Sequence, residues 1–250
     1  MGKYSDEREK PFLEKNKRHK SFCIYCGAVA DTREHVPSKV FLDDPLPNDV
    51  YAIAPACVKC NTGYSLDELY VASLVNMVFC ALNTGAPIRE KIKSSFEHDR
   101  KFETTMYDSV SQTNGNICIE YSPERMERIL TKLALGHFAS KLDVVYDRNK
   151  HDLVCQFRFK SELTFDEMNA FEELPVVNKV SEVGADYIQD ILVLVDIVTG
   201  EQTPISPWHE IQKNNYRFLA YVCDDFSYLI RIVIMEILYA EIIIKDKAHE

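Results

Sequence analysis

Four of the eight cysteines stand as two Cys-x-x-Cys pairs, Cys23/Cys26 and Cys57/Cys60. Two thiolates at this spacing reach one metal ion from a single tight turn. A second such turn completes a tetrahedron, the ligand set that soft thiolates offer Zn²⁺. A four-thiolate site has no open position, so the zinc expected here is structural rather than catalytic. The alternatives are free thiols or a redox pair, and a redox pair expects a βαβ context that the flanking residues lack. Residues 21–64 are correspondingly turn-rich, with Pro37, Pro45, Pro47 and Pro55. The remaining cysteines, Cys80, Cys118, Cys155 and Cys223, are isolated in apolar surroundings and read as small core residues.

Beyond the second pair the pattern becomes helical. Leu66, Leu69, Tyr70, Leu74, Met77, Val78 and Ala81 recur at helical spacing. Ser65-Leu66-Asp67-Glu68 matches a capping box, and Asn83-Thr84-Gly85-Ala86-Pro87 stops the helix after Leu82. A domain boundary is drawn there. The chain divides into a basic lead-in, 1–20, a zinc module, 21–86, and a region from 87 to 250. In that last region residues 88–108 read as charged helix and Ile117–Tyr121 as a short strand. Ser122-Pro123-Glu124 opens a helix carrying Met126, Ile129, Leu130, Leu133 and Phe138. Leu153–Phe159 alternates as a strand, and Thr164-Phe165-Asp166-Glu167 is a second capping box. Apolar runs at 187–198, 216–222 and 226–238 follow, with a hairpin turn at Cys223-Asp224-Asp225. The fold class is therefore α+β, with a mainly antiparallel sheet in the second half.

With 250 residues, 46% hydrophobic and 27% charged, the chain is long enough to bury a substantial core. Its net charge is −10, which excludes a histone-like binder of nucleic acid. The charge is uneven, because residues 1–20 hold seven Lys/Arg against four Asp/Glu. The cluster Asn16-Lys17-Arg18-His19-Lys20 reads either as a solvated arm or as a phosphate-contacting one. No membrane span is expected, since the apolar region 218–244 is broken by Asp224, Asp225, Arg231, Glu236 and Glu241. The polar N-terminus resembles no signal peptide, so the expected compartment is the cytoplasm, where thiols stay reduced.

Between the cysteine pairs lies Glu34-His35-Val36-Pro37-Ser38-Lys39, and Asn61 directly follows the second pair. With Cys23-Ile24-Tyr25-Cys26-Gly27 before it and Pro55-Ala56-Cys57-Val58-Lys59-Cys60-Asn61-Thr62-Gly63-Tyr64-Ser65-Leu66-Asp67-Glu68 after it, this order resembles the HNH endonucleases. The form it resembles is the Cys₄ zinc-bound ββα-metal one, in a bacterial subgroup. The likeness covers about residues 21–75. It implies an N-terminal ββα-metal module and metal-dependent hydrolysis of phosphodiester bonds in DNA or RNA. It also implies His35 as general base, with Glu34 and Asn61 as ligands of a catalytic Mg²⁺ or Mn²⁺. Imidazole titrates near neutrality and oxygen donors suit hard cations, so these roles are chemically coherent. Glu34 and His35 are adjacent, and a regular strand points them to opposite faces. A local irregularity is expected to let both address one metal.

The sequence departs from the family at Ser38, which stands where a second proline is usual. The middle Asn of the signature has no clean counterpart, Asn48 being the nearest. Each residue also has a plainer reading. His35 would be a structural histidine, Glu34 the partner of Arg33 or Lys39, and Asn61 a cap after the knuckle. Asp67 and Glu68 would be dipole-complementing residues at a helix start. Gly63 argues against a helix starting as early as Asn61, which would put Asn61, Ser65 and Glu68 on one face. Trp208 reads as a core or interface anchor. The rival function is a non-catalytic zinc module binding nucleic acid or protein. An acidic nuclease calls for a protein partner subunit or homo-oligomer, or for some means of being held inactive, as in an anti-phage defence system.

Overall fold

The structure is a computed structural model and describes residues 22–46, 52–113, 116–142, 144–173, 193–195, 199–200, 202–204, 208–223 and 225–247. The lead-in 1–20, Asn48, Asp224 and most of the 187–198 run lie outside them. In chain order the elements are β1 (Thr32–Val36), β2 (Ala52–Ala56), α1 (Val58–Gly63), α2 (Ser65–Leu82), α3 (Glu90–His98) and α4 (Arg100–Asp108). Then come β3 (Val110–Thr113), β4 (Asn116–Ile119), α5 (Pro123–Leu142), β5 (His151–Phe159) and α6 (Phe165–Glu172). The chain continues through β6 (Val193–Val195), β7 (Gln202–Pro204), β8 (His209–Gln212), β9 (Tyr216–Val222), β10 (Tyr228–Ile234) and β11 (Leu238–Asp246).

The fold is α+β, with a small N-terminal cysteine module and a five-stranded antiparallel sheet in the order β5-β11-β10-β9-β8. α5 lies between them. Its buried residues, Met126 through Ala139, meet β1 and β2 on one side and the sheet on the other. α2 runs against α5 and is buried without a break from Tyr70 to Val78. A helix covered this completely must be apolar all round. Residues 69–88 accordingly carry no charged side chain, an uncharged window that the reading of the 218–244 region passed over. The run Val58–Leu82 is long and apolar enough to cross a membrane by composition, yet 56% of its most apolar window is buried within the protein. One apolar cluster extends from Cys23 to Ile244 through both helices. The boundary drawn at Ala86 therefore does not coincide with a break in the core.

Several local expectations are corrected. The expected helix is α2, Ser65–Leu82, but a short helix, α1, precedes it from Val58, because the Cys57 thiol accepts the Cys60 amide at 3.4 Å and caps it. The box at Ser65 does not form, since Tyr64 is helical and Glu68 is drawn elsewhere. Residues 88–108 are two helices, because the Asp99 carboxylate caps a new start at the Phe102 amide. The apolar run 226–238 is a strand, a turn and the start of another strand. Met235 and Glu236 turn the chain with φ of 55° and 54°, and Ile234 pairs with Leu238. Neither residue type announces a left-handed turn. The turn is instead held by Arg217, whose Nε lies 2.7 Å from Glu236 Oε1. Cys118 is exposed and Cys80, Cys155 and Cys223 are half-buried, so none is a true core residue.

One histidine couples the core to pH. His137 of α5 is buried, with Nε2 2.8 Å from the Tyr216 hydroxyl and its ring stacked 3.6 Å from Phe218. Burial, aided by His209 and Lys141, holds His137 well below its ordinary pKa, and burial with Lys141 brings His209 down to about 4. Both rings bind fewer protons folded than unfolded. Their contribution is whole above the unfolded value of about 6.5 and is lost as pH falls toward 4. Thermal unfolding followed by circular dichroism should show Tm dropping across that window, with His137→Gln flattening part of the slope. A wild-type Tm level from pH 6.5 to 4.5 would contradict this.

Candidate metal centre and the adjoining carboxylate cluster

The four thiols meet because two backbone turns are pinned side by side. In the first, the Cys23 amide donates to Ala28 O at 2.7 Å and the Gly27 amide to Cys23 O at 2.8 Å. Gly27 sits at φ +72°, a conformation that side chains resist. The second turn is the start of α1. The Ile24 amide reaches Pro55 O at 3.1 Å, and the Val58 amide reaches Asp31 Oδ1 at 2.8 Å, joining the two. The sulfur atoms of Cys23, Cys26, Cys57 and Cys60 then lie within 4.8 Å of one another. Zn–S bonds of about 2.3 Å set a tetrahedral edge of about 3.8 Å. The Cys26–Cys57 sulfur separation is 3.7 Å. The donor set and spacing thus fit a structural metal such as zinc.

The second site expected from sequence is arranged differently. β1 and β2 pair without a bulge, Glu34 opposite Ala54 and His35 opposite Ile53. No irregularity is present, so Glu34 and Val36 face the interior while His35 faces the other way, half-buried. Asn61 is brought onto β1, but its Nδ2 donates to Thr32 Oγ1 and Arg33 O, both at 3.1 Å. Only its amide oxygen is left for a cation. Among the described residues, the four cysteines are the sole group of three or more His, Cys, Asp and Glu ligand atoms gathered closely enough for one ion.

Glu34 pairs with neither Arg33 nor Lys39. It meets a residue that sequence reasoning passed over, Lys132 of α5, whose Nζ lies 2.9 Å from Glu34 Oε1 and 2.6 Å from Ser38 Oγ. Lys132 also forms a short ion pair with Glu68 of α2. Ser38 Oγ contacts the Glu68 carboxylate in turn. The three charged side chains are nearly sealed, Lys132 at 2% exposure, Glu34 at 6% and Glu68 at 11%. Tyr25 and Tyr64 place ring centroids 5.8 and 5.7 Å from the ammonium. Burial pushes the Glu34 carboxyl up against the opposing pull of Lys132. Burial, with Glu34 and Glu68 facing it, also holds the Tyr25 hydroxyl firmly protonated. α5 comes this close because residue 136 is glycine. A Cβ there would lie 3.1 Å from both Val36 methyls. A sequence signal existed, since Lys132 shares an otherwise apolar helix face with Ile129, Leu135 and Gly136.

Asp67 is spent on packing the helices, accepting from Arg125 Nε at 2.6 Å and Arg128 Nη1 at 2.5 Å. Trp208 joins a small satellite cluster on the far face of the sheet, with the Arg217 guanidinium 4.4 Å above its ring. No family model matches the chain, and no curated protein or solved structure is significantly similar to it.

Proposed function

We propose that the chain is a metal-dependent phosphodiester hydrolase of the HNH type, acting on DNA or RNA and held inactive in the conformation described. The observation that carries this reading is the cysteine-clamped hairpin followed directly by a helix, from which Glu34 and Glu68 converge on one buried positive charge. Two carboxylates and a hydroxyl are hard oxygen donors, the set that Mg²⁺ or Mn²⁺ takes. His35, on the half-exposed face of β1, is the base, and Asn61 offers its remaining amide oxygen. Activity then requires Lys132 to leave and β1 to twist, so that His35 and the cation address one water. A nucleic acid or protein partner would supply that change, and the acidic bulk of the chain fits a protein that acts only when engaged.

The regular strand, the committed Asn61 amide and the buried Glu34–Lys132 pair favour a second reading, a non-catalytic zinc module that binds nucleic acid or protein. The two readings separate on one experiment. Purified protein is incubated with plasmid and total RNA, with Mg²⁺ or Mn²⁺ against EDTA, alone and with genomically neighbouring proteins. The nuclease reading expects cation-dependent cleavage, reduced about 10²–10⁴-fold in His35→Ala with the cysteine metal retained. Wild type and His35→Ala equally inert under every condition would leave the binding module standing. Loss of the cysteine metal in His35→Ala would make His35 structural.

A further inference from the structure

The Glu34–Glu68–Lys132 cluster is incomplete as an ion pair. Two carboxylates face one ammonium, and Glu34 Oε2 is buried with no hydrogen-bond partner. Its side chain is 94% covered, so no bulk water offsets this. This oxygen belongs to the carboxylate whose Oε1 already meets the ammonium, so a buried acceptor without a hydrogen bond sits beside the cluster as a ligand atom in reserve. Glu34 Oε1, the Glu68 carboxylate and Ser38 Oγ already converge on the Lys132 nitrogen. The ammonium therefore occupies the centre of an oxygen-lined seat with one donor unused.

We propose that Lys132 is the resident cation of a divalent-metal seat formed by Glu34, Glu68 and Ser38, and that α5 closes the seat by placing its ammonium there. The seat deepens the proposed site: it adds a carboxylate from α2 to Glu34, and it names the ammonium from α5 as the competitor for the same oxygens. Two features make the ammonium a fitted occupant. The Tyr25 and Tyr64 rings flank it at cation–π distance, and the missing side chain at Gly136 lets α5 lie close against Val36 of β1. A monovalent charge leaves the second carboxylate incompletely balanced, whereas a divalent ion would balance both and engage Oε2. The same space cannot hold both cations. The regulatory meaning, an enzyme shut by its own lysine, rests on the nuclease reading. The exchange of cations does not.

The test reads stability and cation binding rather than cleavage. Lys132→Met removes the charge at similar length and buries two uncompensated carboxylates. With the cysteine metal loaded, Lys132→Met should melt well below wild type without added Mn²⁺ and recover by several degrees in millimolar Mn²⁺. Wild type should not respond. Mn²⁺ followed by electron paramagnetic resonance should bind the variant at least tenfold more tightly than wild type, and Glu34→Gln added to the variant should abolish that gain. Mn²⁺ is a poor competitor for thiolates, so the cysteine site does not confuse the readout. Should Lys132→Met fail to fold, Lys132→Met with Glu68→Gln buries a single carboxylate and should still bind Mn²⁺ more tightly than wild type. Equal Mn²⁺ affinity in wild type and variant, or no affinity in either variant, overturns the proposal. A protein that cuts nothing yet gains Mn²⁺ in Lys132→Met rejects the nuclease and keeps the seat.

Discussion

Replacing Cys23 by Ser is expected to release the bound metal and unfold residues 22–64. Cys23 is fully buried, so the change removes a ligand and leaves a hydroxyl in an apolar surround. A structural Zn²⁺ contributes roughly 10 kcal/mol or more in small domains. A whole domain of this kind is stable by only about 5–15 kcal/mol, so the loss is of the same order as total stability. Among the described residues β1 and β2 are five residues each and pair only with one another, so without the metal the hairpin keeps only its packing on α5 and the Lys132 ion pair. Metal analysis by plasma mass spectrometry should find one zinc per wild-type chain and far less in the variant. Amide exchange should show β1 and β2 losing protection. Folded wild type without zinc would refute the assignment.

Truncating Phe138 to Ala should cost about 3–5 kcal/mol, as large core deletions do. The ring is fully buried on α5, 4.8 Å from Tyr228 and 6.2 Å from His151, so it packs on the sheet rather than on the cysteine module. Because the apolar cluster is continuous through α5, the damage should not stay on the sheet side. Tm should fall by roughly 6–20 °C for a chain of this size. The module and the sheet should melt in one transition, and zinc should be lost to a chelator faster than from wild type. Two separated transitions, with only the later-sequence one shifted, would show that the region before residue 87 folds on its own after all.

Local chemistry made much of this legible beforehand. The Cys-x-x-Cys spacing indicated the four-thiol cluster because two residues between thiols is a property of one turn, independent of anything distant. The strands at Leu153–Phe159 and Tyr216–Val222 were readable because alternation reports one buried face. α5 was readable from Ser122-Pro123 and its apolar spacing. What misled was also local. Ser65-Leu66-Asp67-Glu68 has the form of a cap, but capping is worth only about 1 kcal/mol. The Cys57 cap and the buried ammonium of Lys132 outcompete it.

The sequence alone determined the cysteine cluster, the α+β class and the antiparallel character of the later strands, since each depends on spacing along the chain. Only the tertiary structure decided what Glu34 does. Lys132 is 98 residues away along the chain, and it reaches β1 because Gly136 lets α5 approach Val36. No periodicity encodes such a contact. The tertiary structure likewise decided that β1 is regular, with Glu34 and His35 on opposite faces. It also decided that α2 is a central core element, packed against α5. A charge on an apolar helix face signals that a buried partner exists. Which carboxylates answer it depends on how the helices and the hairpin close around one another, and that is set by packing of the whole chain.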